Sequence, residues 1–509
     1  MRFHLALAAL LAAPLAAQGS FDLDKALNGQ LGTPIGLSFA NAPAGSTMLF
    51  MTSLTNGPIA LSLVDVNDTR SLSVGFDLAS IWFTIPTGTG SGSTGFFLPN
   101  NPSLAGLLVN FQGLTVPGTT LFFGAMSNPV TAQLGVANTP TGLPRTLVQS
   151  RAIAQGFRVG HDIVLAGGGQ GSLLSATGLA TTERYDGRTM QVVAGATLNT
   201  ARALAFSTKL NDGRVLICGG VDDLGTVLSS AEIYDPATNA WTPTGSMSVA
   251  RAAFDGTILN DGRVMVAGGT TTLADAVSAL AAAQNTVELY NPTTGQWSSG
   301  TAMPDRLLAP DLTLLQDGRV LLSGGFAVTI LFGIPIPVGS VTTCRRFTPG
   351  TGAGSWAAAA SMRQSRGAHG LNTIRMLDGR VLVTGGIASG PDLTQGTAVA
   401  AAEYYDPTAN LWTALPSLAA ASALHTTTLL SDGRIAVVGG AGGTFTAPVE
   451  IAALQTFDPS TNTFTSWPNL LAPRAAHVAL LTEDNLLVIL GGQSGGGSAS
   501  LATIETVRL

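Results

Sequence analysis

Arginine recurs at a fixed distance before a glycine pair throughout the larger, carboxyl-terminal part of the chain. A guanidinium group can donate two parallel hydrogen bonds to a carboxylate or a sulfate, so such a series could bind an anionic ligand. Six arginines each precede a Gly-Gly pair by 16 to 19 residues, namely Arg151, Arg202, Arg251, Arg306, Arg366 and Arg474. All of them except Arg151 are predicted ligand-binding residues.

Histidine follows three of the corresponding positions. His369 and His477 lie three residues after Arg366 and Arg474, and His425 lies three residues after Ser422, which replaces the arginine in its unit. Three neutral imidazoles could hold zinc or copper if they converge, and otherwise they are hydrogen-bonded features of the repeat. We predict no cofactor, and we include all three histidines among the candidate ligand-binding residues.

The arginines have an alternative, internal role. Buried charges need partners, and a glutamate follows most of the glycine pairs in a Glu-x-Tyr segment or its equivalent. The glutamates are Glu183, Glu232, Glu288, Glu403 and Glu505. Ion pairs between the two sets would stabilise the repeat and leave no arginine for a ligand.

The elements that must position these residues repeat about every 50 residues. Asp-Gly, which favours a tight hairpin turn, precedes most glycine pairs, and a Tyr-Asp-Pro segment and an aromatic residue follow many of them. Each unit therefore predicts four short antiparallel strands. The predicted fold class is all-β, a seven-bladed β-propeller preceded by a small antiparallel β-sandwich-like module. Seven glycine pairs mark the units, at Gly167-Gly168, Gly219-Gly220, Gly268-Gly269, Gly324-Gly325, Gly385-Gly386, Gly439-Gly440 and Gly491-Gly492.

This combination of motifs resembles the kelch repeat, and the predicted propeller is similar to that of galactose oxidase and glyoxal oxidase. In those copper-radical oxidases a ligand histidine directly follows a ligand tyrosine. Here the residues before His369, His425 and His477 are alanine, leucine and alanine. The resemblance therefore implies a propeller without the copper-radical ligand set, and kelch relatives imply a protein or glycan partner.

Three segments are expected along the chain. Residues 1–17 have one arginine, an apolar run and small residues, which predicts a signal peptide and a secreted, periplasmic or cell-surface protein. Residues 18–138 are expected to form the amino-terminal module, and residues 139–509 the propeller, whose last blade is completed by residues 139–150. Cys218 and Cys344 fall in different units, which predicts two free, buried thiols.

The charge of the chain and the length of its apolar runs exclude two classes of protein. A net charge of −6 with 24 scattered Lys and Arg residues excludes a nucleic-acid binder, and no later apolar run is long enough to span a membrane.

We expect a kelch protein that binds its partner on the face carrying the starts of the first strands and the loops after the glycine pairs. The alternatives are an extracytoplasmic carbohydrate-active enzyme of the oxidase or epimerase type and a structural envelope component. On that face, the apolar segment from Ile330 to Val338 is typical of a partner surface, but it could also cover the channel or dock on the module.

Overall fold

The computed structural model describes residues 20–25, 29–44, 46–54, 56–60, 71–74, 81–86, 90–116, 124–170, 177–370 and 373–509. The predicted signal peptide, residues 1–17, lies outside these residues. Strands dominate the described chain, as the all-β prediction requires. Its helical segments are short, at Pro102–Leu104, Ala276–Ala281 and Leu393–Gln395. Across the described ranges, no helix is both long and apolar enough to cross a lipid bilayer.

Seven four-stranded antiparallel sheets make up most of the described chain after residue 139. We number them 1 to 7 from the sheet that begins with Gln155–Val159. Their first strands are Gln155–Val159, Phe206–Lys209, Asp255–Ile258, Asp311–Leu314, Thr373–Arg375, Thr426–Leu429 and Val478–Leu481. Their second strands, which are fully buried or nearly so, are Asp162–Ala166, Val215–Cys218, Val264–Ala267, Val320–Ser323, Val381–Thr384, Ile435–Val438 and Leu486–Leu490.

The third and fourth strands complete each sheet. The third strands are Thr182–Tyr185, Ala231–Asp235, Val287–Asn291, Cys344–Thr348, Ala402–Asp406, Leu454–Asp458 and Thr503–Arg508. The fourth strands are Val192–Ala194, Ala240–Thr244, Gln296–Ser299, Ser355–Ala358, Leu411–Leu415, Thr463–Trp467 and Pro140–Thr146.

The sheets are arranged in a ring. Each first strand contacts the first strand of the next sheet, and Val478–Leu481 contacts Gln155–Val159. Pro140–Thr146 pairs antiparallel with Thr503–Arg508, so the segment before sheet 1 completes sheet 7, as the sequence predicted. A ring of four-stranded sheets with the first strands around the axis is a β-propeller.

The glycine pairs allow neighbouring sheets to approach. Gly219 has a φ of +63°, and a Cβ on it would lie 2.6 Å from the carbonyl oxygen of Arg251 in the next sheet. Only glycine combines this backbone conformation with so close a contact. On the third and fourth strands, aromatic pairs such as Tyr234 and Trp241, with ring centroids 5.1 Å apart, fill the wider outer part of the ring.

Short strands and turns after the glycine pairs lie at one end of the axis, together with the starts of the first strands. We call this end the loop face. It carries two hairpins with long arms, Phe326–Leu331 with Ile334–Ser340, and Ala441–Thr444 with Ala447–Glu450. The remaining short strands here are Gly169–Gln170, Thr177–Gly178, Arg306–Leu308, Ile387–Ala388, Thr397–Ala398, Gln493–Ser494 and Ala499–Ser500.

The amino-terminal module has a mainly antiparallel sheet that curves around its own core. Phe39 and Phe50, from strands far apart in the sheet order, have ring centroids 6.2 Å apart, as in a sandwich. One pair of strands, Ser20–Lys25 with Met126–Ser127, is parallel, whereas the sequence predicted an antiparallel module. The module's strands are Ser20–Lys25, Pro34–Ala40, Thr47–Ser53, Asn56–Ala60, Ser71–Val74, Ile81–Pro86, Gly92–Phe97, Leu108–Val116, Met126–Ser127 and Val130–Gln133.

The module contacts the propeller at the end opposite the loop face. The Lys25 Nζ atom lies 3.2 Å from Oδ2 of Asp484, in the turn between the first two strands of sheet 7. His161, in the equivalent turn of sheet 1, lies 2.8 Å from Glu483 and 3.9 Å from Asp24 of the module. These contacts between described residues all lie away from the loop face.

Candidate functional site

Five of the repeated arginines form buried ion pairs with the repeated glutamates. Arg251 donates from Nη2 to Oε1 of Glu288 at 2.8 Å and from Nη1 to the carbonyl of Gly268 at 3.0 Å. Glu288 also accepts the backbone N–H groups of Ser248 and Val249. The same arrangement joins Arg151 to Glu183, Arg202 to Glu232, Arg366 to Glu403 and Arg474 to Glu505, at 2.6 to 2.9 Å.

These arginines have no exposed surface to offer a ligand. Arg202, Arg251, Arg366 and Arg474 are each 0% exposed, and their guanidinium groups bind the glutamate and backbone carbonyls of their own sheet. The contacts therefore support the internal role, in which the arginines pair with the repeated glutamates. A ligand-binding role for the same residues stays a prediction.

Arg306 does not belong to the series. Leu307, not Arg306, accepts the backbone N–H of the preceding sheet's second glycine, the contact that Arg251 and Arg366 make elsewhere. Arg306 is half-buried and donates to the carbonyl of Ala283 at 3.2 Å. In sheet 4 Arg345 occupies the glutamate's place, and its Nη2 lies 3.0 Å from Oδ2 of Asp305, two residues before Leu307.

The three histidines are buried and bind hydroxyl groups of the preceding sheet. The Nε2 atoms of His369, His425 and His477 lie 3.2, 2.8 and 3.0 Å from the hydroxyls of Ser323, Thr384 and Thr426. Each imidazole also packs on the first glycine of the preceding pair. Burial, with the charge of Arg366, lowers the pKa of His369 and of His425 to about 3, which keeps both rings neutral.

The donor set does not fit a copper-radical centre. The tyrosine position before each histidine holds Ala368, Leu424 or Ala476. Each Nε2 is engaged by a hydroxyl, and among the described residues no three His, Cys, Asp or Glu side chains are grouped closely enough to hold a metal. Cys218 and Cys344 are free and buried, as predicted, and burial raises the pKa of each thiol to about 12.

A cavity of about 230 Å³ lies at the loop-face end of the axis. Residues near the starts of the first strands and loop residues such as Leu273 and Phe445 line it together. Most of the lining is apolar, including Phe206, Phe254 and Phe326. Asp255 supplies a carboxylate to this lining.

A second acid lies beside Asp255. Asp311, which is 3% exposed, occupies the equivalent position in the next sheet. Oδ2 of Asp255 accepts the backbone N–H of Leu312 at 2.8 Å, and Oδ2 of Asp311 accepts from the hydroxyl of Thr313 at 2.9 Å. Burial raises the pKa of Asp255 to about 7, and burial together with the Asp255 charge raises the pKa of Asp311. Such a pair can hold a shared proton or accept a cation.

These two acids were not predicted from the sequence, although a signal was present. Asp255 lies four residues after Arg251, one residue beyond the histidine position. Asp311 stands four residues after Leu307, so it aligns with Asp255 only when the register of sheet 4 is correct. Leu307 precedes Gly324 by 17 residues, as Arg202 precedes Gly219, and this spacing would have given that register.

The apolar segment of sheet 4 is an exposed hairpin. Phe332 at its tip is 95% exposed, and Ile334 and Leu331 are 60% and 54% exposed. Phe326 at its base lines the axial cavity. The hairpin therefore projects from the loop face, next to the cavity, and its tip side chains remain in solvent.

Comparisons with known proteins found a family motif in the chain and solved structures that are similar to it. A family model described as the kelch motif matches residues 210–248, which run from the first hairpin turn of sheet 2 to the end of its fourth strand and beyond. The chain carries a kelch motif. No curated protein matches the chain in sequence.

Two solved structures are similar in fold. One is a fungal alcohol oxidase of the AA5 family in complex with copper, at 17% identity and a TM-score of 0.53, covering 72% of this chain and 75% of that chain. The other is the structure of YjhT, at 14% identity and a TM-score of 0.45, covering 72% of this chain and 96% of that chain. The similarity to the first of these structures supports the propeller fold, and the matched motif confirms the predicted kelch repeat.

Proposed function

We propose that this kelch propeller binds a partner protein through its loop face. The observation that carries the proposal is the exposed hairpin of Phe326–Leu331 and Ile334–Ser340. Contiguous exposed apolar side chains beside a concave site are characteristic of protein interaction surfaces, and aromatic and aliphatic anchors carry most of the binding energy there.

The chemistry of the hairpin supports a protein rather than a glycan. Ile330, Leu331, Phe332, Ile334 and Ile336 are each at least 40% exposed, and none has a side-chain hydrogen-bonding group. A sugar would leave its hydroxyl groups unpaired against such a surface, which costs binding energy. Two prolines, Pro335 and Pro337, stiffen the second arm and reduce the entropy lost when the hairpin binds.

The position of the module also supports this surface. Lys25 and Asp24 hold it against the opposite end of the propeller, near Asp484 and His161. A partner can therefore reach the hairpin without displacing the module. Because residues 1–17 have the features of a signal peptide, we expect the partner outside the cytoplasm.

A charge on the hairpin tests this function. Phe332→Asp should abolish co-isolation of the partner from native extract while leaving the thermal midpoint unchanged, because the side chain makes no core contact. Leu377→Asp is the matched control, since Leu377 is 72% exposed in a turn at the opposite end. Equal recovery of the same proteins with both variants would reject the hairpin as the binding surface.

A further inference from the structure

A ring of equivalent residues, one from each sheet, lines the axial cavity. Each of them lies two positions after the repeated arginine or the residue that replaces it. In four sheets the backbone N–H of this residue donates to the carbonyl of its equivalent in the preceding sheet, as Ala309 does to Ala253 at 2.9 Å. The backbone therefore fixes where these side chains lie. The ring consists of Ile153, Leu204, Ala253, Ala309, Ala368, Leu424 and Ala476.

All residues of the ring have a left-handed backbone conformation. Their φ angles lie between +47° and +55°, a region that favours glycine because a Cβ atom is crowded there. None of them is glycine, and Ile153 is β-branched, which makes the conformation rarer still. Non-glycine residues held in this conformation are concentrated at functional sites, ligand clamps among them. The apolar side chains, and not the backbone conformation, therefore account for the residue types in the ring.

The sizes of the ring side chains locate the free space. Alanine occupies the position in three consecutive sheets, at Ala253, Ala309 and Ala368, whereas sheets 1, 2 and 6 carry isoleucine or leucine. The free space therefore lies beside the three alanines. Loops of sheets 3 to 6 complete the lining there with Leu273, Phe326, Leu393 and Phe445.

The polar side chains of the lining are engaged with other protein groups. Among the described lining residues, Asp255 alone is ionisable, and it accepts the N–H of Leu312 at 2.8 Å and hydrogen-bonds to Asp311. Gln155 accepts from the hydroxyl of Ser207 at 3.0 Å. A charged ligand would lose its hydration here without gaining a free partner, which costs free energy. An apolar ligand is stabilised by leaving water.

The geometry points to a binding site for a small, uncharged, apolar molecule, namely an aromatic ring that carries a short alkyl chain. An apolar cavity of about 150 Å³ takes up benzene. The axial cavity is larger, at about 230 Å³, and Phe206, Phe254 and Phe326 can pack against a ring. One phenylalanine side chain of a partner would leave part of this space empty and forfeit packing contacts, so a free molecule is the better occupant. The inference does not depend on the proposed partner protein.

The test is isothermal titration calorimetry of the full chain at pH 6, below the pKa of about 7 to which burial raises Asp255. The probes are n-propylbenzene, phenylacetate and 2-phenylethylammonium, in which an ammonium group replaces the terminal methyl group. We expect saturable, equimolar binding of n-propylbenzene and at least about tenfold weaker binding of each charged analogue. Equal or tighter binding of either charged analogue would overturn the inference, and so would the absence of saturable heat with n-propylbenzene.

Two variants test the position of the ligand. Ala309→Leu and Ala368→Leu should each fill the free space and weaken n-propylbenzene binding at least about tenfold. Leu204 and Leu424 already have leucine at this position in the same backbone conformation, so the fold accommodates both changes. Ala357→Leu, the same change on the exposed outer strand of sheet 4, is the control and should bind like the wild type. Wild-type affinity in either folded cavity variant would overturn the site.

Discussion

Arg251 and Glu288 form an ion pair of 2.8 Å in which neither side chain is exposed by more than 3%. The pair joins the start of the first strand to the third strand of the same sheet, and through the carbonyl of Gly268 it also holds the glycine pair. The repeated arginine is thus accounted for by the architecture of the sheet.

Removing that arginine should destabilise the fold. Arg251→Ala leaves Glu288 buried without a counter-charge, which costs about 3–5 kcal/mol of unfolding free energy. Arg306→Ala, at the half-buried arginine outside the series, should cost less than about 1 kcal/mol. Urea denaturation followed by tryptophan fluorescence measures both. If Arg251→Ala unfolded at the wild-type midpoint, the structural role would be wrong.

The histidines should make stability depend on pH. His425 stays neutral in the folded state because its pKa is lowered to about 3, whereas in the unfolded chain it takes a proton near pH 6.5. The contribution of His425 to the free energy of unfolding is therefore fully present above pH 6.5. It is lost as the pH drops towards 3, by about 1.4 kcal/mol per pH unit for each such group. His425→Gln should flatten the urea-denaturation profile between pH 6 and 4 by about that slope. An unchanged slope would show that His425 is protonated in the fold.

The acid pair should lower stability as the pH rises, which is the opposite of the effect of the histidines. Because the pKa of Asp255 is raised to about 7, the unfolded chain loses this proton near pH 4 but the folded chain keeps it until about pH 7, so stability falls as the pH rises from about 4 to 7 and stays lowered above that. Asp255→Asn should therefore stabilise the protein at pH 8.5 by about 1–3 kcal/mol, and the gain should shrink towards pH 5. Thermal unfolding at the two pH values measures this. A gain independent of pH would mean that Asp255 titrates normally.

The closing strand should contribute to global stability. Leu143 in Pro140–Thr146 is 7% exposed in the core between sheets 7 and 1. Leu143→Ala should cost about 2–3 kcal/mol. Val148→Ala, at a residue 71% exposed just beyond the strand, should change stability by less than about 0.5 kcal/mol. Equal unfolding midpoints for the two variants would argue against closure by this segment.

Much of the fold could be predicted from the sequence because short segments of the chain specify its turns and close packing contacts. Asp-Gly turns, glycine pairs and Tyr–Trp pairs each specify a conformation or a packing contact that few residues can provide, so Gly219 and Trp241 could be placed without a structure. The closing strand was predicted because residues 139–142 repeat the sequence that opens the fourth strand at 242–245.

The site was harder to predict because it depends on register between sheets. Arg306 has the right residue type one position too early, and only the backbone contact of Leu307 shows the shift. Asp255 and Asp311 are far apart in sequence and become a pair only when sheets 3 and 4 pack. The parallel pairing of Ser20–Lys25 with Met126–Ser127 is likewise a long-range contact without a local signal.

Site-specific photo-crosslinking in native extract tests the central claim, binding of a protein at the loop-face hairpin, most directly. Benzoylphenylalanine placed at Phe332 should yield a discrete crosslinked product whose mass spectrum contains peptides of a second protein. The same group at Leu377, at the opposite end, should not yield it. Absence of a protein adduct from position 332, a glycan adduct there, or the same product from both positions would contradict the claim.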